Sequence, residues 1–417
     1  MKKLGLIFFF TLVLGQISFS QVFRFYNDLD SLKTEVIFQT ENFVQSNFLT
    51  QKITSDIIFS NYIPQEVMEK MQNKLGAKNL LNTETRQSLQ FNYKVDSNWV
   101  IGLNLADRIL GYGLFSKDFI EVLSSGNRSN QAEVYDFSGS NLNLFKFQEF
   151  GVNLKYKVNN MHQINFGINY LNLEAFNQVQ LKNTTFSVND LGTETEILLS
   201  GNAQFSDTTN KSLMANNGGG FSLSGAYTTH FSILKNQPRK GTATMFFKDL
   251  GKLYANNQTL TYEQNDEEYN FNGIYIENIS NYKPKIFQEQ SPDTIYQRII
   301  SSAKFEKASS ALPWLVGFTV VQPIFAKSNF SFGSYFRNIS GSLPLFYGSF
   351  ETEINQNLRL EVNSNAGGFG NFSVGAGATG TFDKLRIKLK TANLNSLIFN
   401  QTQTGLGIFA EINYRIK

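Results

Sequence analysis

The sequence predicts an all-β chain: a single transmembrane antiparallel β-barrel of about 14 strands (range 12–16), with a short helix near 64–75 and a candidate N-terminal plug. Three observations predict it. Aromatic residues reach 14% of 417, with 40 Phe and 17 Tyr, while charged residues are only 17%, against roughly 25% in an ordinary soluble chain. Apolar and polar residues alternate with period two along the chain, which gives each strand one greasy and one polar face. Connections alternate between short turns and long loops, as the two ends of a membrane barrel do.

The chain opens on a secretory leader at 1–20. Lys2 and Lys3 supply the positive start, Leu4 to Leu14 the apolar run, and Ser18-Phe19-Ser20 the small-residue cleavage site before Gln21. Beyond it there is no run of 18 apolar residues, so any membrane crossing must use strands, and only a closed barrel satisfies strand backbones in lipid. The formal net charge of +3 falls to +1 without Lys2 and Lys3, which leaves no electrostatic footprint for nucleic acid. The count of zero Cys excludes disulfides, thiolate metal sites, Cys nucleophiles and a lipid anchor on Cys.

Strands are expected at 50–60, 89–95, 99–106, 147–158, 163–173, 220–234, 241–249, 311–322, 329–338, 343–353, 358–364, 370–380, 385–393 and 404–416. In the second, Leu89, Phe91 and Tyr93 oppose Gln90, Asn92 and Lys94. Asp96-Ser97-Asn98 then turns into Trp99, Ile101, Leu103 and Leu105. The hairpin through Asn159-Asn160 puts Phe150, Val152, Leu154 and Tyr156 beside Ile164, Phe166, Ile168 and Tyr170. Long connections are expected at 107–146, 174–219 and 250–310. The helix near 64–75 follows from Pro64 at a first-turn position, a shared face of Val67, Met68, Met71 and Leu75, and Gly76 beyond the end. Residues 21–48 are too apolar for a solvated tail. They form a separate periplasmic or plug segment before a barrel of 49–417.

Chemistry-bearing patterns are sparse. His230 and Ser232 share a strand face, but a polar filler on a lumen wall explains them as well as a nucleophile pair does. Gly375-Ala376-Gly377-Ala378-Thr379-Gly380 matches a dinucleotide fingerprint in letters only, because it lies inside strand alternation. Asp266-Glu267-Glu268 reads as a solvated loop tip. With the polar faces inward, Lys94, Lys155, Lys157, Arg359, Arg386, Lys388, Lys390 and Arg415 gather near the short turns as a basic collar. The collar reads either as interfacial charge that fixes barrel depth or as a holder for an anionic group. The nearest such group is the N-terminal segment, with Asp28, Asp30, Glu35 and Glu41. No catalytic residue, metal ligand or cofactor is expected.

The stretches Ser88-Leu89-Gln90-Phe91, Trp99 to Leu103, Phe119 to Asn127, Phe150 to Tyr156 and Ile164 to Leu171 resemble an uncharacterised family of Bacteroidota outer-membrane barrels. That family is similar to FadL-like fatty-acid transporters and to PorV-type barrels of secretion machinery. The resemblance implies an outer-membrane location and lipid contact, and the sparse chemistry above leaves an enzymatic role unexpected. It implies first a scaffold or accessory subunit of a secretion or assembly complex, with other outer-membrane or periplasmic proteins as partners. The alternative is a FadL-like transporter of small hydrophobic molecules. No site residue carries over from it.

Overall fold

The computed structural model describes residues 33–59, 65–125, 134–189, 194–206, 215–232, 239–272, 303–394 and 404–416. Among these, eighteen strands make one antiparallel sheet. The first group is β1 (Thr34–Ser46), β2 (Asn79–Lys94), β3 (Trp99–Phe115), β4 (Val134–Asp136), β5 (Asn141–Lys157) and β6 (His162–Leu181). Next come β7 (Thr185–Val188), β8 (Glu194–Phe205), β9 (Gly218–Phe231), β10 (Gly241–Asn272), β11 (Lys304–Ala311) and β12 (Leu315–Phe325). The last are β13 (Ser328–Arg337), β14 (Leu345–Asn355), β15 (Leu358–Gly367), β16 (Gly370–Phe382), β17 (Leu385–Thr391) and β18 (Leu406–Ile416). Fourteen of them close a barrel, and β1 is the closing strand: Thr34 faces Ile416 of β18 on one side and Tyr93 of β2 on the other. The remaining four, β4, β7, β8 and β11, extend the wall at the end that carries the long loops. There β8 and β11 pair with the upper half of β10, whose lower half pairs with β9 and β12.

An apolar belt surrounds the lower barrel. On β3, Trp99, Ile101, Leu103 and Leu105 are exposed outward, while Val100 and Asn104 are buried inward. On β5 and β6, Phe150, Val152 and Leu154 lie beside Ile164, Phe166, Ile168 and Tyr170, all exposed. Such a continuous apolar surface is what a bilayer covers. Above Leu105 the polarity inverts. Asp107 now faces outward, and Leu110 is buried in the interior with Phe145, Phe147, Leu171, Leu173, Phe176 and Leu253. The strands thus leave the belt and continue as a wall with a dry core, like that of a soluble protein. Each such side chain contributes roughly 1.5–3 kcal/mol when fully buried. The wall is lopsided: β6 has 20 residues and β10 has 32, but β17 has 7.

Three short helices lie on long-loop connections: α1 (Gln51–Phe59) and α2 (Gln65–Gln72) between β1 and β2, and α3 (Lys117–Ser125) after β3. The second corresponds to the helix expected near 64–75. Phe48, Ile53, Val67, Met68, Met71 and Ile120 form one buried cluster, so the helices pack on each other at that end.

Two expectations change. The strand expected at 50–60 is α1, because Thr50 caps a helix: its Oγ1 accepts the Ile53 N–H at 3.3 Å, and its carbonyl accepts the Thr54 N–H at 3.0 Å. The separate segment at 21–48 is overturned for 34–46, which is barrel strand β1. Its alternation places Glu35, Ile37 and Phe43 inward and Phe38 outward. Residues 21–32, and the leader at 1–20, lie outside the described residues. The strand count of fourteen is met with 34–46 in place of 50–60. The long loops at 107–146, 174–219 and 250–310 are shorter than expected, because β3, β6, β8 and β10 run on above the belt.

Candidate functional site: a charge knot across the lumen

Strand alternation sends Glu84 and Arg86 of β2, Arg108 of β3 and Glu149 of β5 to the interior at one level. Register makes Arg86 and Arg108 direct cross-strand partners, a repulsive arrangement unless acids lie between them. Glu149 does so. Its Oε2 accepts from Arg86 Nη2 at 3.1 Å, and its Oε1 accepts from Arg108 Nη1 at 3.0 Å. Arg108 is completely buried and donates to two more carboxylates: Nε to Glu84 Oε1 at 2.8 Å, and Nη1 and Nη2 to Asp249 Oδ1 and Oδ2 at 2.6 and 2.7 Å. The Asp249 contact is the bidentate fork of Arg on carboxylate. Arg337, at the end of β13, donates from Nη2 to Glu84 Oε2 at 2.9 Å.

Asp249 reaches the knot through a bulge. The pairing of β10 with β9 shifts between Phe247 and Leu250, and Asp249 takes a left-handed φ of 62°. Without the extra residue the strand would keep strict alternation, and two adjacent residues could not both leave the lipid side. Lys248 adds a further positive charge that acts on Asp249 and Glu84. The knot therefore joins β2, β3, β5, β10 and β13. The second and the thirteenth strands are separated by several others in both directions round the wall, so Arg337–Glu84 crosses the lumen. Buried charges persist only when they are paired, and here every carboxylate has at least one guanidinium.

Above the knot the axis is closed by apolar contacts. Leu80 of β2 packs with Ile339 and Phe369, from connections on the opposite wall, and with Tyr112 and Leu114 of β3. Level with Lys248 and Arg337 and toward the short turns, Phe246, Leu315, Tyr335 and Leu345 form another buried cluster.

The expected basic collar lies below the knot, and its members do not converge on one point. Lys388 and Lys390 both bind Glu361, Lys388 at 3.6 Å. Arg415 lies 3.9 Å from Glu35, which also accepts from Asn413 at 2.7 Å and Asn92 at 3.2 Å, and whose charge acts on Lys155 of β5 on the same side of the wall. Arg386 is buried on the same face of β17 as Lys388 and Lys390. Arg359 is half-exposed near Glu351 and Glu353, at 3.8 and 3.6 Å. Lys94 and Lys157 stand half-buried at the mouth. Of the acids considered as partners, Glu35 reaches the collar as a strand residue, Glu41 acts on Arg86 of the knot, and Asp28 and Asp30 lie outside the described residues.

The other patterns have local explanations. His162 Nδ1 is 2.7 Å from the Tyr227 hydroxyl on the outer face, whereas His230 lies on the inward-facing alternation of β9. The glycine pattern at 375–380 is part of β16. A Cβ on Gly377 would sit 2.7 Å from Lys390 Cγ, so that glycine makes room for the lysine stem. Among the described residues no group of three or more His, Cys, Asp and Glu is arranged to hold a metal.

Comparison with known proteins adds fold likeness only. No protein-family model matches the sequence, and no curated protein matches it either. Among solved structures the chain is similar to the Pseudomonas putida toluene transporter TodX, with 7% identity over 92% of this chain and 89% of that one and a TM-score of 0.44. It is also similar to a Pseudomonas aeruginosa FadL homologue, with 8% identity, 92% and 89% coverage and a TM-score of 0.43. An outer membrane channel from Pseudomonas putida F1 gives 10% identity, 96% and 100% coverage and a TM-score of 0.33. Likeness at this level carries no argument about function.

Proposed function

We propose that this chain is a bacterial outer-membrane barrel that works as a normally closed passage for small hydrophobic molecules, and not as an open diffusion pore. The apolar belt, with short turns at one end and long loops at the other, supports the location, the turns facing the periplasm. The observation that carries the functional reading is the knot around Arg108. It spans the lumen with buried, mutually paired charges, whereas a diffusion pore keeps its charges on the wall of a wet channel. The interior above the knot is lined by Leu110, Phe147, Leu173 and Leu253, a surface suited to apolar cargo once it opens. The test is uptake of a small aromatic hydrocarbon by cells that express the chain. Uptake above the empty-vector level, without increased entry of a similarly sized sugar, supports the reading. Equal entry of both, or of neither, contradicts it.

The scaffold reading keeps one observation in its favour. β4, β7, β8 and the upper half of β10 raise a sheet well above the belt, where a partner protein would meet it. A mild-detergent pull-down separates the two: a stoichiometric protein partner favours the scaffold.

A further inference from the structure

We propose that the knot holds a small monovalent anion of halide size, bound between the unused donors of Arg337 and the ammonium of Lys248. The proposal rests on the reading of the knot as the closed part of the lumen, and is independent of what the barrel passes. Three observations carry it. The first is a set of donors without acceptors. The Arg337 side chain is 5% exposed, and its hydrogen bond to Glu84 uses only Nη2. Its Nε and Nη1 are buried without a hydrogen-bond partner, and Asp249 Oδ2 stays 4.0 Å from Nη1. Buried donors left in that state are costly, the more so on a charged group.

The second observation is register. Lys248 of β10 stands opposite Leu315 of β12, and Leu315 stands opposite Arg337 of β13. Opposed residues on neighbouring strands share a face of the wall, so the two cations flank Leu315 on the lumen side. Their Cα atoms are two strand spacings apart, about 10 Å, which two long side chains can close. Among the described residues Lys248 makes no ion pair and no side-chain hydrogen bond, and it is only half-buried, so an ion can enter from the lumen. The third observation is charge. Arg86, Arg108, Arg337 and Lys248 meet only Glu84, Glu149 and Asp249 at this level. Glu41 acts on Arg86, but from β1, away from Arg337 and Lys248. Both oxygens of Asp249 are taken by Arg108. One positive charge is left over at Arg337 and Lys248, and a single negative charge balances it. Toward the short turns the wall there is packed and apolar, with Phe246, Leu315, Tyr335 and Leu345 all buried. An organic acid finds no bed for its body in that packing, whereas a bare halide needs none.

The test uses the full chain in detergent. Urea unfolding is followed while chloride replaces gluconate at constant ionic strength, which holds general screening fixed. An ion that binds only the folded barrel lowers the unfolding constant in proportion to its concentration, once that exceeds its dissociation constant. The expected result is a tenfold fall in the unfolding constant for a tenfold rise in chloride, the slope of one bound ion. Lys248→Met should flatten the slope, and Lys327→Met, at an exposed turn, should keep it. Crystals of the native chain grown with bromide give a readout that needs no variant: an anomalous peak within hydrogen-bond distance of Arg337 Nε or Nη1. An unfolding constant indifferent to chloride, an unchanged slope in Lys248→Met, or bromide peaks that leave Arg337 bare would each overturn the proposal. Failed hydrocarbon uptake would overturn the cargo reading and leave these results untouched.

Discussion

The knot around Arg108 and the collar around Glu361 both place charges inside the barrel, yet they differ in kind. In the knot a guanidinium with no exposed surface serves three carboxylates from three strands, and a second guanidinium reaches one of those acids across the lumen. In the collar the pairs are local. Lys388 and Lys390 share Glu361 with β17 and β15 only one strand apart, and Arg359 stands half in water. The difference teaches that position along the axis decides what an inward charge does. Around Glu361 the lysines are buried too, but they tie near neighbours on one side of the wall, and water reaches the charge at the rim, at Arg359. At the top of the belt the same residue types become a cross-brace that closes the lumen.

Four substitutions grade this contrast. Arg108→Ala strands Glu84, Glu149 and Asp249 together. It should cost about 5 kcal/mol, the upper end for breaking a buried ion pair, and urea unfolding in detergent should find little assembled barrel. Asp249→Ala removes the bidentate partner but leaves Arg108 two acids. About 3 kcal/mol is expected, seen as a lower urea midpoint with the barrel still formed. Lys390→Met leaves Glu361 with Lys388, so a loss of about 1–2 kcal/mol is expected in the same assay. Arg359→Gln, at the wet rim, should change the midpoint by less than about 1 kcal/mol. If Arg359→Gln cost as much as Arg108→Ala, the distinction between dry brace and wet rim would be lost.

The belt was legible in the sequence because lipid imposes one rule on every strand that crosses it. Trp99 to Leu105, Phe150 to Tyr156 and Ile164 to Tyr170 alternate cleanly for that reason. The rule stops where lipid stops. Past Leu105 the outward residue is Asp107 and the inward one Leu110, so the pattern inverts in mid-strand and reads as the start of a loop. The same inversion hid the knot: Glu84 and Arg86 precede Leu89 on a strand whose outward face there carries Thr83, Thr85 and Gln87, not apolar residues. The even spacing of Asn82, Glu84, Arg86 and Ser88, continuous with Gln90 and Asn92, was the available signal. Asp249 left none, because its inward position depends on a bulge that only the pairing reveals. In β1, Ile37 inside and Thr40 outside blur the two faces, whereas the Thr50 cap of α1 could be read from the chain.

The central claim is that the lumen is shut at the knot, and single-channel conductance in planar bilayers tests it most directly. The native chain should insert without a steady open level, whereas Leu80→Ser/Arg337→Ser, which removes the ion pair across the lumen and the apolar contact above it while leaving Glu84 paired with Arg108, should conduct. Lys388→Gln/Lys390→Gln should stay as silent as the native chain. A large, steady ohmic conductance from the native barrel, unchanged in the Leu80→Ser/Arg337→Ser variant, would contradict the account.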